Sequence, residues 1–466
     1  MKAVIEEDTL IQQVNDYCEY SLDQWHVPGA AIAIVHKGEV VFQKGYGTQR
    51  YGENIAVTTD TLFPIASITK SFAVLGLALL VDQGKLHWND RVIDYLPDFK
   101  LKDPWVTREF QITDLFCHRS GFYPGALEQM AQWGYDRKDI QKGFSFLDSI
   151  NSFRSAYAYI NVPYLWIEDL IEVITGQKWG DFIRENILNP LEMKKTDIIG
   201  KIDKSRLITG HILDEETRTQ VKPVSFSIFP EVFLAAGGLV SSVNDLSRWL
   251  LLQLGDLSLI SKENMEFLHS SKTPVEPFLG YGGGWRIFDD KPCRVLSHGG
   301  LISGIKHRFL FIPQCDTGIV VLTNLTHSEA SMGISDYFAD RVMGLPLKDY
   351  SFELLEKEPF VPMARPKKSG RKIDIGSFEG TYQNNVLGSV TITNGSESDL
   401  EMILGPKNAK ARLNHNNEQT FLISFIREAG ASVGESHWGT ATFSSDQLTL
   451  KGYEDFENET FVLNRD

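Results

Sequence analysis

A stretch of ten residues without a polar side chain, 72–81, is the feature that most constrains the fold of this 466-residue chain. A surface helix keeps one polar face, but this stretch is apolar all round and predicts a helix buried on every side. It ends at Asp82, Gln83 and Gly84, which are typical of a helix terminus. Such a helix requires a large core around it, and a hydrophobic content of 42% is sufficient to supply one.

The serine and lysine that open this helix, Ser67 and Lys70, suggest nucleophilic chemistry. A serine hydroxyl attacks poorly until a neighbouring group accepts its proton or stabilises its alkoxide. A lysine three residues further along a helix lies on the same face, one turn away. Two other Ser-x-x-Lys tetrads start at Ser303 and Ser369, but neither opens a buried helix. The pattern therefore favours Ser67 as the nucleophile, placed at a helix N-terminus that stabilises negative charge.

Two further motifs follow Ser67 along the chain. Tyr159 has an asparagine, Asn161, two residues later, and His298 leads into two glycines at the end of a short predicted strand, 294–297. Ser-x-x-Lys, a Tyr or Ser with Asn two residues on, and a basic residue leading into glycine are the three elements of the penicillin-recognising serine enzymes. Their joint presence, in this order, indicates an enzyme of that kind.

The chain resembles the serine β-lactamase and penicillin-binding-protein-like family, in particular its class C β-lactamase, D-aminopeptidase and esterase branch. The resemblance extends over residues 8–344 and includes more than the three motifs. The additional matching stretches are 27–30, 63–66, 112–121, 189–193, 236–241 and 281–285.

This resemblance implies catalytic roles for four side chains. Ser67 would form an acyl-enzyme, and Lys70 would stabilise its alkoxide or move its proton. Tyr159 takes the place of the general base, helped by Lys70, and Asn161 would hold the amine of Lys70 or the amide of the substrate. Tyr157 has no asparagine two residues later, so we prefer Tyr159.

The resemblance also implies an oxyanion hole made of two backbone N–H groups, those of Ser67 and Leu301. Gly299 and Gly300 would let the substrate lie against the edge of the strand, because glycine has no side chain in the way. His298 stands where β-lactamases and D-Ala carboxypeptidases usually carry lysine. Histidine is mostly uncharged at neutral pH, which disfavours substrates with a carboxylate at that position. A purely positioning role for His298 stays open.

The expected function is therefore that of a serine hydrolase cleaving a small amide, an ester or a peptide, including peptides with D-amino acids. One alternative is a β-lactamase or a penicillin-binding D-Ala carboxypeptidase. A non-catalytic binding or scaffold protein is the alternative of another class. The aromatic-rich segment 121–158 is interpreted as a lid over the site, where substrate choice is made.

Composition and motif spacing limit the classes of partner and cofactor that the protein is expected to bind. A net charge of −15 disfavours nucleic acid and anionic membranes, and no metal-ligand spacing or phosphate loop is present, so no cofactor or metal is expected. The sequence contains no stretch of about 18 apolar residues, so no membrane span is predicted.

The expected partner is a small-molecule or peptide substrate, and the question of a homo-oligomer stays open. The first residues lack a signal peptide, so we expect a cytoplasmic protein, or a periplasmic one if a leader has been removed.

The chain is organised in two parts. Residues 1–345 alternate helices and short strands, which predicts one antiparallel sheet with a helical region inserted, an α+β fold of β-lactamase/transpeptidase type. Residues 346–375 have the proline, lysine and glycine content of a linker. From residue 376 to 466, short alternating runs predict a small all-β antiparallel barrel of about eight strands. Residues 378–382 resemble the start of a lipocalin-like module.

Overall fold

The computed structural model describes residues 7–214, 220–226, 229–357, 375–395, 399–425, 436–452 and 459–466. The chain divides into two compact units. The first comprises residues 1–90, 111–117 and 166–363, and the second comprises residues 91–110, 118–165 and 364–466. The domain limits at 345 and 376 stay a prediction. Residues 358–374 of the predicted linker, with the tetrad at Ser369, lie outside the described residues.

The helices and strands are numbered in chain order. The α-helices are α1 Glu7–Gln24, α2 Thr69–Asp82, α3 Val92–Tyr95, α4 Pro104–Glu109, α5 Arg137–Phe144, α6 Tyr164–Thr175, α7 Trp179–Ile183, α8 Phe229–Val232, α9 Leu234–Gly237, α10 Val243–Leu254, α11 Lys262–Leu268, α12 Ala330–Val342 and α13 Tyr350–Lys357. Within the described ranges, none of these helices has the length and apolar character that crossing a membrane requires.

The strands of the first unit are β1 Gly29–His36, β2 Glu39–Gly47, β3 Phe63–Pro64, β4 Asp197–Ile198, β5 Gly210–Leu213, β6 Val221–Val224, β7 Leu239–Ser241, β8 Thr273–Glu276, β9 Leu279–Tyr281, β10 Arg286–Phe288, β11 Val295–Ile302, β12 Ile305–Ile312 and β13 Thr317–Thr323. Those of the second unit are β14 Gly380–Asn384, β15 Gly388–Asn394, β16 Leu400–Leu404, β17 Ala409–Asn417, β18 Thr420–Phe425, β19 Ser436–Phe443, β20 Gln447–Gly452 and β21 Thr460–Arg465.

An eight-stranded sheet forms the centre of the first unit, in the order β2-β1-β13-β12-β11-β10-β9-β8. Strand β1, from the start of the chain, pairs antiparallel with β13, with Ala30 opposite Thr323 and His36 opposite Thr317. The helical elements between β2 and β8 are therefore an insertion into one antiparallel sheet. This arrangement confirms the predicted α+β fold.

Helices cover both faces of this sheet, which explains why the residues of β13 are buried on both sides. Helices α1 and α12 share one core cluster with alternate residues of β1, β12 and β13. Helix α10 packs on β1 and β13, against the alternate residues that the cluster leaves out. Phe72 of α2 stacks on Trp249 of α10, with ring centroids 3.7 Å apart. Helix α2 is thus buried on almost all of its residues, as its apolar sequence predicts.

A closed barrel of eight antiparallel strands, β14 to β21 in sequence order, dominates the second unit. Burial alternates along the strands, so that Val390 and Ile392 of β15 and Leu448 and Leu450 of β20 face inward. An eight-stranded barrel is just wide enough for side chains to fill its interior. The predicted small all-β barrel is confirmed, while its likeness to a lipocalin stays a prediction.

The segment 118–165 belongs to the same compact unit as the barrel. The ring of Trp133 stacks on Phe425 of β18 at 5.3 Å, and the hydroxyl of Tyr135 donates to the carbonyl oxygen of Leu387 at 2.5 Å. These contacts fasten the middle of the segment to the barrel wall. That the segment acts as a lid stays a prediction.

Candidate active site

Ser67 lies in a 3₁₀ turn, Ala66–Ile68, that leads directly into α2. Lys70 is fully buried in the first turn of α2. Its Nζ donates to the Oγ of Ser67 at 3.1 Å and to the carbonyl oxygen of Ala236 at 2.9 Å. The three-residue spacing thus places the amine in hydrogen-bond contact with the hydroxyl. A cation at this distance stabilises an alkoxide, and an amine at this distance can exchange a proton with the hydroxyl.

The backbone immediately before Ser67 is held in a strained conformation. Ala66 has a φ of 46°, a left-handed value that residues other than glycine rarely adopt and that persists only when the surroundings enforce it. His307 of β12 helps to hold the backbone in this conformation. Its Nδ1 accepts from the amide of Thr323 at 3.0 Å, so its Nε2 carries the proton and donates to the carbonyl oxygen of Pro64 at 3.0 Å. The chain leading to the serine is therefore tied to the central sheet.

Strand β11 is longer than the predicted strand 294–297, which ends before His298. Pairing with β12 continues through the glycines to Ile302, and backbone hydrogen bonds of this kind depend little on the side chains. On the opposite edge, β10 pairs only with residues 295–297. Along residues 298–302, this edge is not paired with any strand of the described part of the chain.

The same part of β11 lies, with one of its faces, against the residues that precede Ser67. A β-carbon on Gly300 would lie 2.4 Å from the carbonyl oxygen of Ile65, so only glycine permits the approach. The side chain of Leu301 is 54% exposed. An unpaired edge beside a nucleophile can offer N–H groups to an oxyanion and add an extended substrate as a strand. The assignment of the Leu301 N–H to the oxyanion hole stays a prediction.

His298 is buried in β11 and has hydrogen-bond partners at both ring nitrogens. Its Nδ1 lies 2.7 Å from the carbonyl oxygen of Gly299, which can only accept, so Nδ1 carries the proton. Its Nε2 then accepts from the hydroxyl of Tyr281 at 3.0 Å. Burial, and secondly the charge of Lys70, hold the pKa of His298 well below its usual value. The imidazole is therefore neutral at physiological pH.

Tyr159 and Asn161 lie in the second compact unit, on a stretch of chain that is held by hydrogen bonds to neighbouring loops. The amide of Gly125 donates to the carbonyl oxygen of Tyr159 at 2.9 Å. The carboxylate of Glu128 accepts from the backbone amide of Asn161 at 2.8 Å and from its Nδ2 at 2.7 Å. The backbone of the Tyr-x-Asn motif is thus fixed at both ends.

His118 holds the same stretch from another side. Its carbonyl oxygen accepts from the amide of Ala158 at 2.8 Å, and its Nδ1 accepts from the amide of Ile160 at 3.2 Å. Its ring lies 4.3 Å from the ring of Tyr159. These contacts agree with a structural role for His118 rather than a catalytic one.

The predicted site residues thus fall into two groups. Ser67, Lys70 and the β11 segment with His298, Gly299, Gly300 and Leu301 come together in the first unit, whereas Tyr159 and Asn161 belong to the second. Sequence reasoning did not find three supporting side chains, which are Tyr281, His307 and Glu128. Only Tyr281 carried a signal, because it opens the Tyr-Gly-Gly-Gly-Trp stretch.

The described residues contain no group of three or more His, Cys, Asp or Glu side chains that could hold a metal ion. Cys293 and Cys315 have their sulfurs 3.6 Å apart, beyond the length of a disulfide bond. The hydroxyl of Ser67 and the amine of Lys70, in hydrogen-bond contact, are groups that acyl transfer uses.

Acid should destabilise the first unit through His307. Burial lowers the pKa of this histidine from 6.5 to about 4, so the unfolded chain binds more protons between these two values. The free energy of unfolding should therefore fall as the pH falls from 6.5 to 4, by about 1.4 kcal/mol per unit of pKa difference, or roughly 3 kcal/mol. Urea unfolding at pH 7, 5 and 4 should show a smaller fall for His307→Gln. Equal falls would contradict this assignment.

Comparisons with known proteins show the family to which the chain belongs. The family model for Beta-lactamase matches residues 8–342. Among curated proteins, the chain is 28% identical over 436 residues to the "Unguisins hydrolase ungD'" of Aspergillus campestris, covering 84% of this chain and 79% of that protein.

Solved structures share the fold, and two of them illustrate the similarity. The octameric penicillin-binding protein homologue from Pyrococcus abyssi has a TM-score of 0.62 at 22% identity, covering 97% of this chain and 100% of that one. The D-amino acid amidase from Ochrobactrum anthropi SV3 has a TM-score of 0.59 at 22% identity, covering 74% of this chain and 99% of that one. With a family match that spans most of its length, the chain belongs to the beta-lactamase family of hydrolases.

Proposed function

We propose that this protein is a serine hydrolase that cleaves a small amide, peptide or ester through an acyl-enzyme on Ser67. The observation that carries the proposal is the 3.1 Å contact between the Nζ of a fully buried Lys70 and the Oγ of Ser67. A lysine without solvent exposure is rare unless its charge is used or paired. Here it is directed at a serine hydroxyl at the start of a helix.

The proposed reaction has two acyl-transfer steps. The Oγ of Ser67 attacks the carbonyl carbon of the substrate while its proton passes to Lys70 or, with Lys70 assisting, to Tyr159. The tetrahedral oxyanion is stabilised by the N–H groups of Ser67 and Leu301, a type of contact worth roughly 10²–10³ in rate per donor. The amine or alcohol leaves with a proton. Water then attacks the acyl-enzyme by the same path and frees Ser67.

The charge and hydrogen bonds of His298 favour a substrate that has no carboxylate at the position next to β11. Its Nδ1 proton is bound to Gly299 and its Nε2 lone pair to Tyr281, and the ring is neutral. A neutral, fully engaged imidazole attracts an anion far less than the lysine of β-lactamases would. Names among the relatives point the same way, since one is a hydrolase of unguisins and another an amidase of D-amino acids. We infer esters, amino-acid amides and peptides as the substrate classes.

Replacing His298 by Lys should shift specificity toward carboxylates. An ammonium at this position can donate to the hydroxyl oxygen of Tyr281, which reverses the direction of that hydrogen bond, and it adds one positive charge beside the site. We expect KM for a peptide ending in D-Ala-D-Ala to fall about tenfold relative to KM for the matching C-terminal amide. Steady-state kinetics on the two peptides would measure this. An unchanged ratio would show that residue 298 does not face the substrate.

The direct test of the proposed function is the reaction with a fluorophosphonate. The intact protein should gain one adduct, and peptide mapping should place it on Ser67. A panel of p-nitrophenyl esters and D- and L-amino-acid amides should then be hydrolysed. A protein that gains no adduct and cleaves no member of the panel would refute the proposal.

A further inference from the structure

The barrel contacts the segment that leads to Asn161 through a buried carboxylate. Glu459, the residue before β21, is almost fully buried, and its Oε1 accepts from the backbone amide of Leu127 at 3.1 Å. Leu127 has a left-handed backbone with a φ of 62°, a conformation that a residue with a β-carbon adopts only when held. The barrel side chain therefore helps to hold an otherwise unfavourable turn.

The next residue in this turn, Glu128, makes the two hydrogen bonds to Asn161 described above. Because a carboxylate can only accept, it must face the Nδ2 of Asn161 and not its Oδ1. The orientation of the amide is thereby fixed. Oδ1 is buried and has no hydrogen-bond partner among the residues described, so it is available to accept from an N–H group.

We propose that the barrel positions the Tyr-x-Asn motif: Glu459 holds the turn at Leu127, and Glu128 in that turn holds Asn161 so that its Oδ1 is presented as an acceptor. Glu128 and Glu459 are positioning residues, which act through Asn161. This inference rests on the proposed function, since it assigns the barrel a part in that same catalytic site. The N–H that Oδ1 accepts from would belong to the substrate amide.

The charge state of Glu459 adds a pH-dependent signature. Burial, and secondly the charge of Glu128, raise the pKa of Glu459 to about 8. The titratable groups that face it in the described structure are Glu128 and Tyr123, whose own pKa is raised by burial and by Glu459. The protonated carboxyl is therefore favoured in the folded protein, and ionisation above pH 8 places two carboxylates side by side. The hydrogen bond from Leu127 favours the ionised form of Glu459. What should weaken as the pH rises through about 8 is the hold of Glu128 on Asn161, because a second carboxylate then stands beside Glu128.

The test compares four variants of the full-length protein on the p-nitrophenyl ester of an N-acetylated amino acid, whose amide N–H is a donor for Oδ1. Glu128→Ala and Glu459→Leu should lower kcat at least about tenfold with less than twofold change in KM. Glu459→Gln keeps an oxygen for the Leu127 amide, so it should retain kcat at pH 7 and lose the decline above pH 8. Tyr135→Phe is the matched control, because it removes another buried hydrogen bond between the segment and the barrel without touching Asn161. Its kcat should match the wild type.

Hydrogen exchange gives a readout that needs no activity. The peptide covering residues 157–161 should exchange faster in Glu128→Ala and Glu459→Leu, and at the wild-type rate in Tyr135→Phe. If the wild type gains no fluorophosphonate adduct but exchange changes in this pattern, the proposed function fails and the positioning role stands. If the wild type is active, and folded Glu459→Leu and Glu128→Ala match Tyr135→Phe in kcat and exchange, the positioning role is overturned.

Discussion

Ser67→Ala should abolish hydrolysis, lowering kcat/KM by at least about 10⁴-fold on every ester or amide that the wild type cleaves. Loss of the attacking oxygen removes the acyl-enzyme route entirely, and only binding and oxyanion stabilisation remain. The fluorophosphonate adduct should disappear with it, as seen by intact-protein mass. Because Ser67 Oγ is one atom in a turn held by backbone contacts, the melting temperature should change little.

The matched control is Ser303→Ala, since Ser303 opens another Ser-x-x-Lys tetrad. It lies in the turn between β11 and β12 and not at the start of a buried helix. This variant should keep its adduct on Ser67. An adduct that persists in Ser67→Ala, or that is lost in Ser303→Ala alone, would show that the nucleophile has been assigned to the wrong residue.

Lys70→Met should have the second-largest effect. Methionine has a similar length and fills the buried space, but it removes the amine that contacts Ser67 Oγ. We expect kcat to fall by about 10³-fold or more, because the hydroxyl loses its partner for proton transfer and charge stabilisation. The rate of labelling by fluorophosphonate should fall in parallel. Time courses of adduct formation by mass spectrometry would measure it.

Measuring the stability of the variant distinguishes a catalytic role of Lys70 from a structural one. Removing a buried amine saves the cost of its desolvation, which offsets the lost hydrogen bond to Ala236, so urea unfolding should show a folded variant. Lys85→Met, at an exposed lysine just beyond α2, should behave as the wild type in every assay. A folded Lys70→Met with wild-type kcat would mean that Lys70 only stabilises the core.

Local patterns were sufficient for much of the fold. The apolar run 72–81 predicted the buried helix α2, because burial on all sides leaves no position for a polar residue. Alternating short runs after residue 376 predicted the barrel strands, because successive side chains on a strand point to opposite faces. The length of β11 was predicted less well. Its continuation through Gly299 and Gly300 depends on pairing with β12, which the residues of β11 alone do not reveal.

The sequence by itself determined the candidate nucleophile, since Ser67 and Lys70 are one helical turn apart and that geometry is local. It also determined the order of the three motifs and the unusual histidine at position 298. Only the tertiary structure decided how these groups are held. The Nε2 of His298 is held by Tyr281, the backbone before Ser67 by His307, and Asn161 by Glu128. These partners come from distant parts of the chain, and contacts of that kind are set by packing and strand pairing, which no local sequence pattern records.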